Sequence, residues 1–117
     1  MALSYHTATQ NFRYNPDLKI IKTTIHEPFY SASKKLGWKE QSPGIGIHKE
    51  IIKIVLKTNS VLIVYLVSAE HDYFIKPDVI KQFMKENTVE YRVGQGTIVI
   101  VLPLKKFKRS MLDLWIN

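Results

Sequence analysis

The chain has 117 residues, with 17 Lys and Arg against 10 Asp and Glu, a formal net charge of +7 at pH 7, and no cysteine. This length suits one domain built on one core, and the lack of cysteine excludes a disulfide framework, thiolate metal sites and a cysteine nucleophile. The longest uncharged apolar run, Val61 to Val67, is too short for a membrane span, which takes about 20 residues.

The first 25 residues give little periodic signal. Neither an early basic segment nor the apolar core of a secretory signal is visible, so we expect a cytoplasmic protein with no membrane partner. Residues 1–16 are predicted to be irregular. Residues Leu18 to Ile25 fit either a strand or a short helix, and the pattern does not decide between them.

A helix is predicted from Glu27 to Glu40. Pro28 suits its first turn, where a missing N–H costs nothing. Three apolar residues recur at the spacing of one helix face: Phe29, Ala32 and Leu36. Gly37 is predicted to end this helix, and a loop follows from Gln41 to Gly46.

Three strands are predicted in the middle of the chain. Residues Ile47 to Leu56 fit either a helix or a strand, and their β-branched content favours the strand. After a tight connection at Thr58 to Ser60, the continuous apolar run from Ser60 to Ser68 predicts a central strand covered on both faces. A polar turn from Ala69 to Asp72 then leads into a short strand from Tyr73 to Lys76.

The clearest helix signal runs from Pro77 to Asn87, because proline suits the first helical position. Its predicted buried stripe consists of Val79, Ile80, Phe83 and Met84. Two strands, Thr88 to Val93 and Thr97 to Leu102, are predicted around a glycine-rich turn, and Pro103 ends the second.

The last 15 residues, 103–117, are predicted to be a basic and apolar tail. Its apolar residues would cap the core or contact another protein: Met111, Leu112, Leu114, Trp115 and Ile116. Residues 1–117 are therefore predicted to form a single α/β or α+β domain. Its mixed sheet would be flanked by helices, in an α-β-β-β-α-β order.

Positive charge is concentrated in two parts of the chain. Residues 1–58 carry nine basic and four acidic groups, and residues 103–117 carry four and one. Most of these cations are lysines, which suit phosphate contacts better than bidentate reading of bases. The pattern predicts either simple solubility or a nucleic-acid partner bound through its backbone. The candidate nucleic-acid contacts are Lys34, Lys35, Lys39, Lys105, Lys106, Lys108 and Arg109, with Trp38 and Phe107 as candidate stacking residues.

Few residues support metal or cofactor chemistry. The four histidines, His6, His26, His48 and His71, lack the three- or four-residue spacing of a helical metal pair. The run Glu70-His71-Asp72 could hold a divalent ion, although a solvated turn also explains it. Since neither a P-loop nor a G-x-S-x-G elbow is present, we expect no cofactor.

The layout of residues 26–108 resembles one known family. Glu50 precedes a short apolar stretch, Ser60 to Val67 would be a long strand, and the strand and helix that follow end at Asn87. Residues Thr97 to Leu104 resemble a closing strand. This order is similar to the PD-(D/E)XK nuclease core of archaeal Holliday-junction resolvases.

In that family the long strand carries an E-x-K pair, and clustered carboxylates hold Mg²⁺ while a base or lysine positions water. Here Tyr65 and Val67 stand where the pair is needed, so the resemblance implies a degenerate, non-catalytic member. Mg²⁺ would be a cofactor only if carboxylates at other positions of the chain came together to bind it. The candidates for such a displaced site are Glu50, Glu70, Asp72 and Lys76, and Glu27 could correspond to the acidic residue that the family often carries at the head of its first helix.

Three functions are therefore expected, in order of preference. The first is a small module that binds nucleic acid, with DNA favoured over RNA. The second is an active nuclease or toxin-type RNase that uses His48, Glu50 and Tyr65 for acid–base chemistry. The third is an interaction subunit that forms a homodimer through a sheet edge or the C-terminal apolar patch.

Overall fold

The structure, a computed structural model, describes residues 3–7 and 10–116 of the chain. The strands are β1 Leu3–Thr7, β2 Gln10–Asn15, β3 Ile20–Ile25, β4 Gly44–His48, β5 Val61–Leu66, β6 His71–Ile75, β7 Glu90–Val93 and β8 Thr97–Pro103. The helices are α1 Ala32–Leu36, α2 Lys49–Thr58, α3 Pro77–Glu86 and α4 Met111–Ile116. Within these residues, no helix is both long and apolar enough to span a membrane.

The strands form two sheets. A five-stranded sheet has the order β1-β2-β3-β5-β6, and a three-stranded sheet has the order β4-β8-β7. Strands β3 and β5 are parallel, whereas every other pair is antiparallel. The predicted α+β class with a mixed sheet is confirmed.

One hydrophobic core lies between the five-stranded sheet and the rest of the molecule. It joins one face of that sheet, called the inner face below, to β4, β8, α2 and α3. The inner face contributes Phe12, Ile21, Leu62, Val64 and Ile75. The alternate residues of the same strands lie on the opposite face, called the outer face below, because side chains alternate along a strand.

The prediction of irregular structure for residues 1–16 is wrong where the structure describes them, since they form β1 and β2. Residues 1–2 and 8–9 lie outside the described part. In β2, Phe12 is buried while its neighbours Asn11 and Arg13 are exposed. The alternation was hidden because the strand is mostly polar, which is typical of an antiparallel strand with one solvated face. Of the two alternatives for Leu18 to Ile25, a strand or a short helix, the structure shows the strand, β3.

The predicted helix from Glu27 to Glu40 is much shorter than expected. Phe29 instead pairs with Gly44, with two backbone hydrogen bonds of 2.7 and 2.8 Å, so residues before Ala32 extend the edge of the three-stranded sheet. Gly37 ends α1 in the left-handed conformation, with φ of 71°, as predicted. The predicted loop from Gln41 is also shorter, because Gly44 already belongs to β4.

The favoured strand prediction for Ile47 to Leu56 is wrong after His48, because Lys49–Thr58 is helix α2. Three of its apolar residues are buried at helical spacing, namely Ile51, Ile52 and Val55. Burial of this stripe in the core outweighs the strand preference of β-branched residues, since that preference itself depends on packing. From α1 onward the order is therefore α-β-α-β-β-α-β-β-α, which corrects the predicted α-β-β-β-α-β order.

The other predicted helix and strands are confirmed, with ends shifted by up to two residues. The predicted polar turn from Ala69 to Asp72 is too long, because His71 and Asp72 already belong to β6. Strand β5 lies inside the sheet between β3 and β6, although its outer-face residue Tyr65 is only partly buried. Helix α3 begins with Pro77 at its first turn. Strands β7 and β8 flank a turn in which Gly94 and Gly96 have positive φ.

The C-terminal tail continues the five-stranded sheet and then folds back. Phe107 is buried in the core, and Lys108 exchanges two backbone hydrogen bonds of 2.8 and 2.7 Å with Phe74 of β6. Helix α4 then contacts β6. Of the predicted apolar cap, Leu114 is buried, whereas Leu112 and Trp115 are exposed.

Candidate functional site

A row of side chains crosses the outer face of the five-stranded sheet. The strand registers pair Arg13 with Lys22, Lys22 with Ile63, Ile63 with Phe74, and Phe74 with Lys108 of the tail. Directly paired residues project from the same face of a sheet. These five residues, called the outer row below, therefore span about 19 Å at a strand spacing of about 4.8 Å.

The outer row is basic at both ends and apolar in the middle. Arg13 and Lys22 are exposed, Lys108 and Phe74 are partly exposed, and Ile63 is 9% exposed. Tyr65 lies one step away along β5, where it pairs with Thr24 and Asp72. The outer face therefore combines three cations with two accessible aromatic rings.

The electrostatics of this face are unbalanced. Arg13 and Lys22 are direct neighbours on adjacent strands, an arrangement that destabilises a sheet when the charges are alike. Lys22 reaches over β5 to Asp72, with its Nζ 3.7 Å from a carboxylate oxygen. Among the described residues, Arg13 and Lys108 make no ion pair. An anionic ligand would relieve the repulsion that remains.

A second group of cations and aromatic rings lies where the tail meets β6. Arg109 lies over the Tyr73 ring at 5.7 Å, and Lys76 lies over the Trp115 ring at 4.7 Å, both measured to the ring centroid. Trp115 is 64% exposed. These four residues are called the edge cluster below. Tyr73 pairs with Val64 of the inner face, and Arg109 follows Lys108 of the outer row, so Tyr73 and Arg109 lie on the inner-face side of the sheet edge while Lys108 lies on its outer side.

The other predicted contacts lie on a separate surface, called the loop cluster below. Its members are Lys34, Lys35, Lys39, Lys105 and Lys106. Lys34 and Lys35 lie on α1, and the loop that follows α1 contacts the tail, because Ser42 and Pro43 accept hydrogen bonds from the backbone N–H groups of Lys105 and Leu104. Buried Phe107 separates Lys105 and Lys106 from Lys108 and Arg109, so the predicted set of seven cations divides between two surfaces.

The loop cluster is less free to bind an anion. The Nζ of Lys106 lies 3.6 Å from the Glu40 carboxylate, and Lys35 lies over the Phe29 ring at 5.7 Å. Lys39 and Lys106 line an open groove of about 830 Å³ beside α3. Carboxylates also line this groove, from Glu40, Asp78 and Glu86. Its charge is therefore mixed.

Neither predicted stacking residue is available for a base. Trp38 is 4% exposed, packs edge-on against Phe83 with ring centroids 5.1 Å apart, and donates its indole N–H to the Thr88 carbonyl at 2.7 Å. Phe107 is also part of the core. Both aromatic side chains therefore hold the fold together, and the predicted stacking role of Trp38 is corrected.

The candidate carboxylates do not form a site. Glu50 pairs with Lys53 on α2 at 3.5 Å, and Asp72 pairs with Lys22. Glu27 and Glu70 are exposed. Within the described residues, no three His, Asp or Glu side chains are close enough to hold a metal ion together.

The residues of the RNase alternative are also apart. His48 ends β4 in the three-stranded sheet and is 8% exposed, whereas Tyr65 projects from the outer face of the other sheet. Burial lowers the pKa of His48, because desolvation penalises the charged imidazolium. Glu50 is exposed on α2. Tyr65 therefore lies in a different sheet from His48, the residue that directly precedes α2.

No family model, curated protein or solved structure matches this chain. The resemblance to PD-(D/E)XK nucleases therefore stays a prediction.

Sequence reasoning missed the cations that the sheet brings together, Arg13 and Lys22. Arg13 lies in the stretch that was predicted to be irregular, so it had no assigned face. The signal was the alternation in Gln10–Asn15, where Phe12 is the only large apolar residue between polar neighbours. Even if β2 had been predicted correctly, the residues within it could not have predicted that β2 pairs with β3. The same holds for the pairing of the tail with β6.

Proposed function

We propose that this protein binds nucleic acid through its phosphate backbone on the outer face of the five-stranded sheet. The outer row is the observation that carries the proposal, because it aligns Arg13, Lys22 and Lys108 with Phe74 across about 19 Å. That distance corresponds to roughly five to six nucleotides of a stacked strand, at about 3.4 Å each. Affinity would come mainly from release of counterions, with little dependence on base sequence.

Solubility alone accounts less well for this arrangement. Exposed lysines on α2 and α3 keep a protein soluble without being neighbours on a sheet. By contrast, Arg13 and Lys22 lie directly opposite each other, which costs stability, and the ion pair of Lys22 with Asp72 offsets only one of the two charges. Phosphate groups are anions that lysine and arginine bind well.

The test is a titration of labelled oligonucleotides followed by fluorescence anisotropy at several salt concentrations. The triple variant R13Q/K22Q/K108Q should bind more weakly than the wild type. The slope of log K against log salt should fall by up to about 2.7 for duplex DNA or about 2.1 for a single strand, if all three residues contact phosphate.

The matched control removes the same charge from the loop cluster, in the triple variant K34Q/K39Q/K105Q. It should retain more affinity and a steeper salt slope than the outer-row variant. A larger loss in the loop-cluster variant would contradict the placement on the sheet. If the wild type fails to bind any nucleic acid at about 50 mM salt, where such contacts are strong, the proposed function is wrong.

A further inference from the structure

We infer that the nucleic acid bound here is single-stranded, and that one of its unpaired bases stacks on the Trp115 indole in the edge cluster. This inference rests on the proposed function and specifies its substrate class. It draws on residues outside the outer row, namely those of α4 and the start of α3.

Trp115 is placed as a stacking platform would be. It is 64% exposed although tryptophan is among the most costly side chains to leave in water. The Lys76 ammonium lies 4.7 Å from the ring centroid and so occupies one side of the indole. The exposed remainder of the ring is available to a flat, apolar ligand.

The charges around Trp115 favour a polyanion as that ligand. Lys76 lies at the ring itself, and Lys108 and Arg109 lie on the tail segment that pairs with β6 just before α4. Helix α4 carries one acidic residue, Asp113, and contacts β6. A nucleic acid provides both groups that this surface fits, because each aromatic base is attached to a phosphate backbone.

An indole distinguishes single strands from duplexes. In a duplex the bases stack on one another and present only their edges in the grooves, whereas an unpaired base exposes its whole face to an aromatic side chain. Stacking of this kind tolerates any base. A surface of lysines and one exposed tryptophan therefore suits a single strand of relaxed sequence.

The experiment compares oligo(dT) with a duplex of equal length at about 50 mM salt, where electrostatic contacts are strong. The chain contains two tryptophans, so the W38F variant leaves Trp115 as the sole indole. Its fluorescence should be quenched as oligo(dT) binds. W115L should weaken oligo(dT) binding by about fivefold or more and change duplex binding little.

Two controls locate the effect. Tyr30, 70% exposed beside the short helix α1, is an equally accessible aromatic residue away from the edge cluster, and Y30L should retain wild-type affinity. In W115L the sole indole is the buried Trp38, whose fluorescence should not respond to oligo(dT). An equal loss in Y30L would overturn the inference.

The outcomes separate the two proposals. If neither nucleic acid binds, the proposed function fails and this inference with it. If duplex and single strand bind equally, and Trp115 fluorescence is unchanged in W38F, the inference fails while the proposed function stands. If Trp115 fluorescence instead depends on protein concentration without nucleic acid, the exposed ring belongs to a contact between copies, and the inference is overturned.

Discussion

The two faces of the five-stranded sheet are built from the same strands and differ in almost every property. On the inner face, Ile21, Val64 and Leu62 are fully buried against the core. On the outer face, Arg13, Lys22 and Thr24 are exposed. The inner face is fixed by packing against the core, whereas the outer face carries one buried residue, Ile63, among exposed side chains such as Lys22, which pairs with Asp72.

This difference indicates where function can be sought. Substitutions on the inner face should lower stability, because buried groups are close-packed, and should affect binding only through that loss of stability. Changes on the outer face should alter binding at nearly constant stability, because exposed substitutions usually cost within about 0.5 kcal/mol. The stability of the fold therefore does not explain why the outer row carries three cations.

The largest expected effect comes from placing the same acidic residue on each face. Val64→Asp buries an unpaired charge and should cost several kcal/mol, enough to unfold a domain whose total stability is about 5–15 kcal/mol. Thr24→Asp on the outer face should cost less than about 1 kcal/mol. Urea denaturation of both variants measures this. A stable Val64→Asp protein would show that β5 is not an interior strand.

The second comparison uses neighbouring residues of the tail that point to opposite faces. Phe107→Ala removes a core ring and should destabilise the protein by about 3–5 kcal/mol. Lys108→Gln should leave stability unchanged and weaken oligonucleotide binding. Thermal unfolding and anisotropy on both variants check this. Loss of affinity in a fully stable Phe107→Ala protein would instead make Phe107 a stacking residue.

A smaller effect on nucleic-acid binding is expected from removing the charge of Asp72, which lies beside the outer row. Asp72 pairs with Lys22 and would repel phosphate, so Asp72→Asn should strengthen nucleic-acid binding, by roughly two- to fivefold for one charge near the surface. Titration at fixed salt measures the gain. Glu70→Gln, an equal charge change in the exposed turn before β6, is the matched control. Weaker binding by Asp72→Asn would argue that phosphate does not lie on this face.

The smallest effect concerns the dependence of stability on pH. Burial lowers the folded-state pKa of His48, so the unfolded chain takes up a proton first as the pH falls below about 6.5. The stability that comes from neutral His48 is complete above that pH and is lost as the pH falls toward the lowered pKa. In His48→Gln the free energy of unfolding should therefore fall less between about pH 7 and pH 5. Urea denaturation at both pH values measures how much the free energy of unfolding falls in each protein. An equal fall in the wild type and in His48→Gln would contradict a lowered pKa of His48.

Elements with strong local signals could be predicted from this sequence. The unbroken apolar run gives β5, the proline and its amphipathic stripe give α3, and two glycines give the β7–β8 turn, because each signal lies within one element. The residues of Lys49–Thr58 could not by themselves decide between a helix and a strand, since their apolar positions fit both the helical and the strand periodicity. Packing of Ile51 and Val55 in the core decides for the helix.

The sequence by itself determined the net charge, the α+β class and the basic tail. Only the tertiary structure decided which cations meet. Lys105 and Lys108 are three residues apart, yet buried Phe107 directs them to different surfaces, whereas Arg13 and Lys108 are far apart in sequence and share one row. The physical reason is that strand pairing is non-local, because hydrogen bonds between strands and burial of one face set the register.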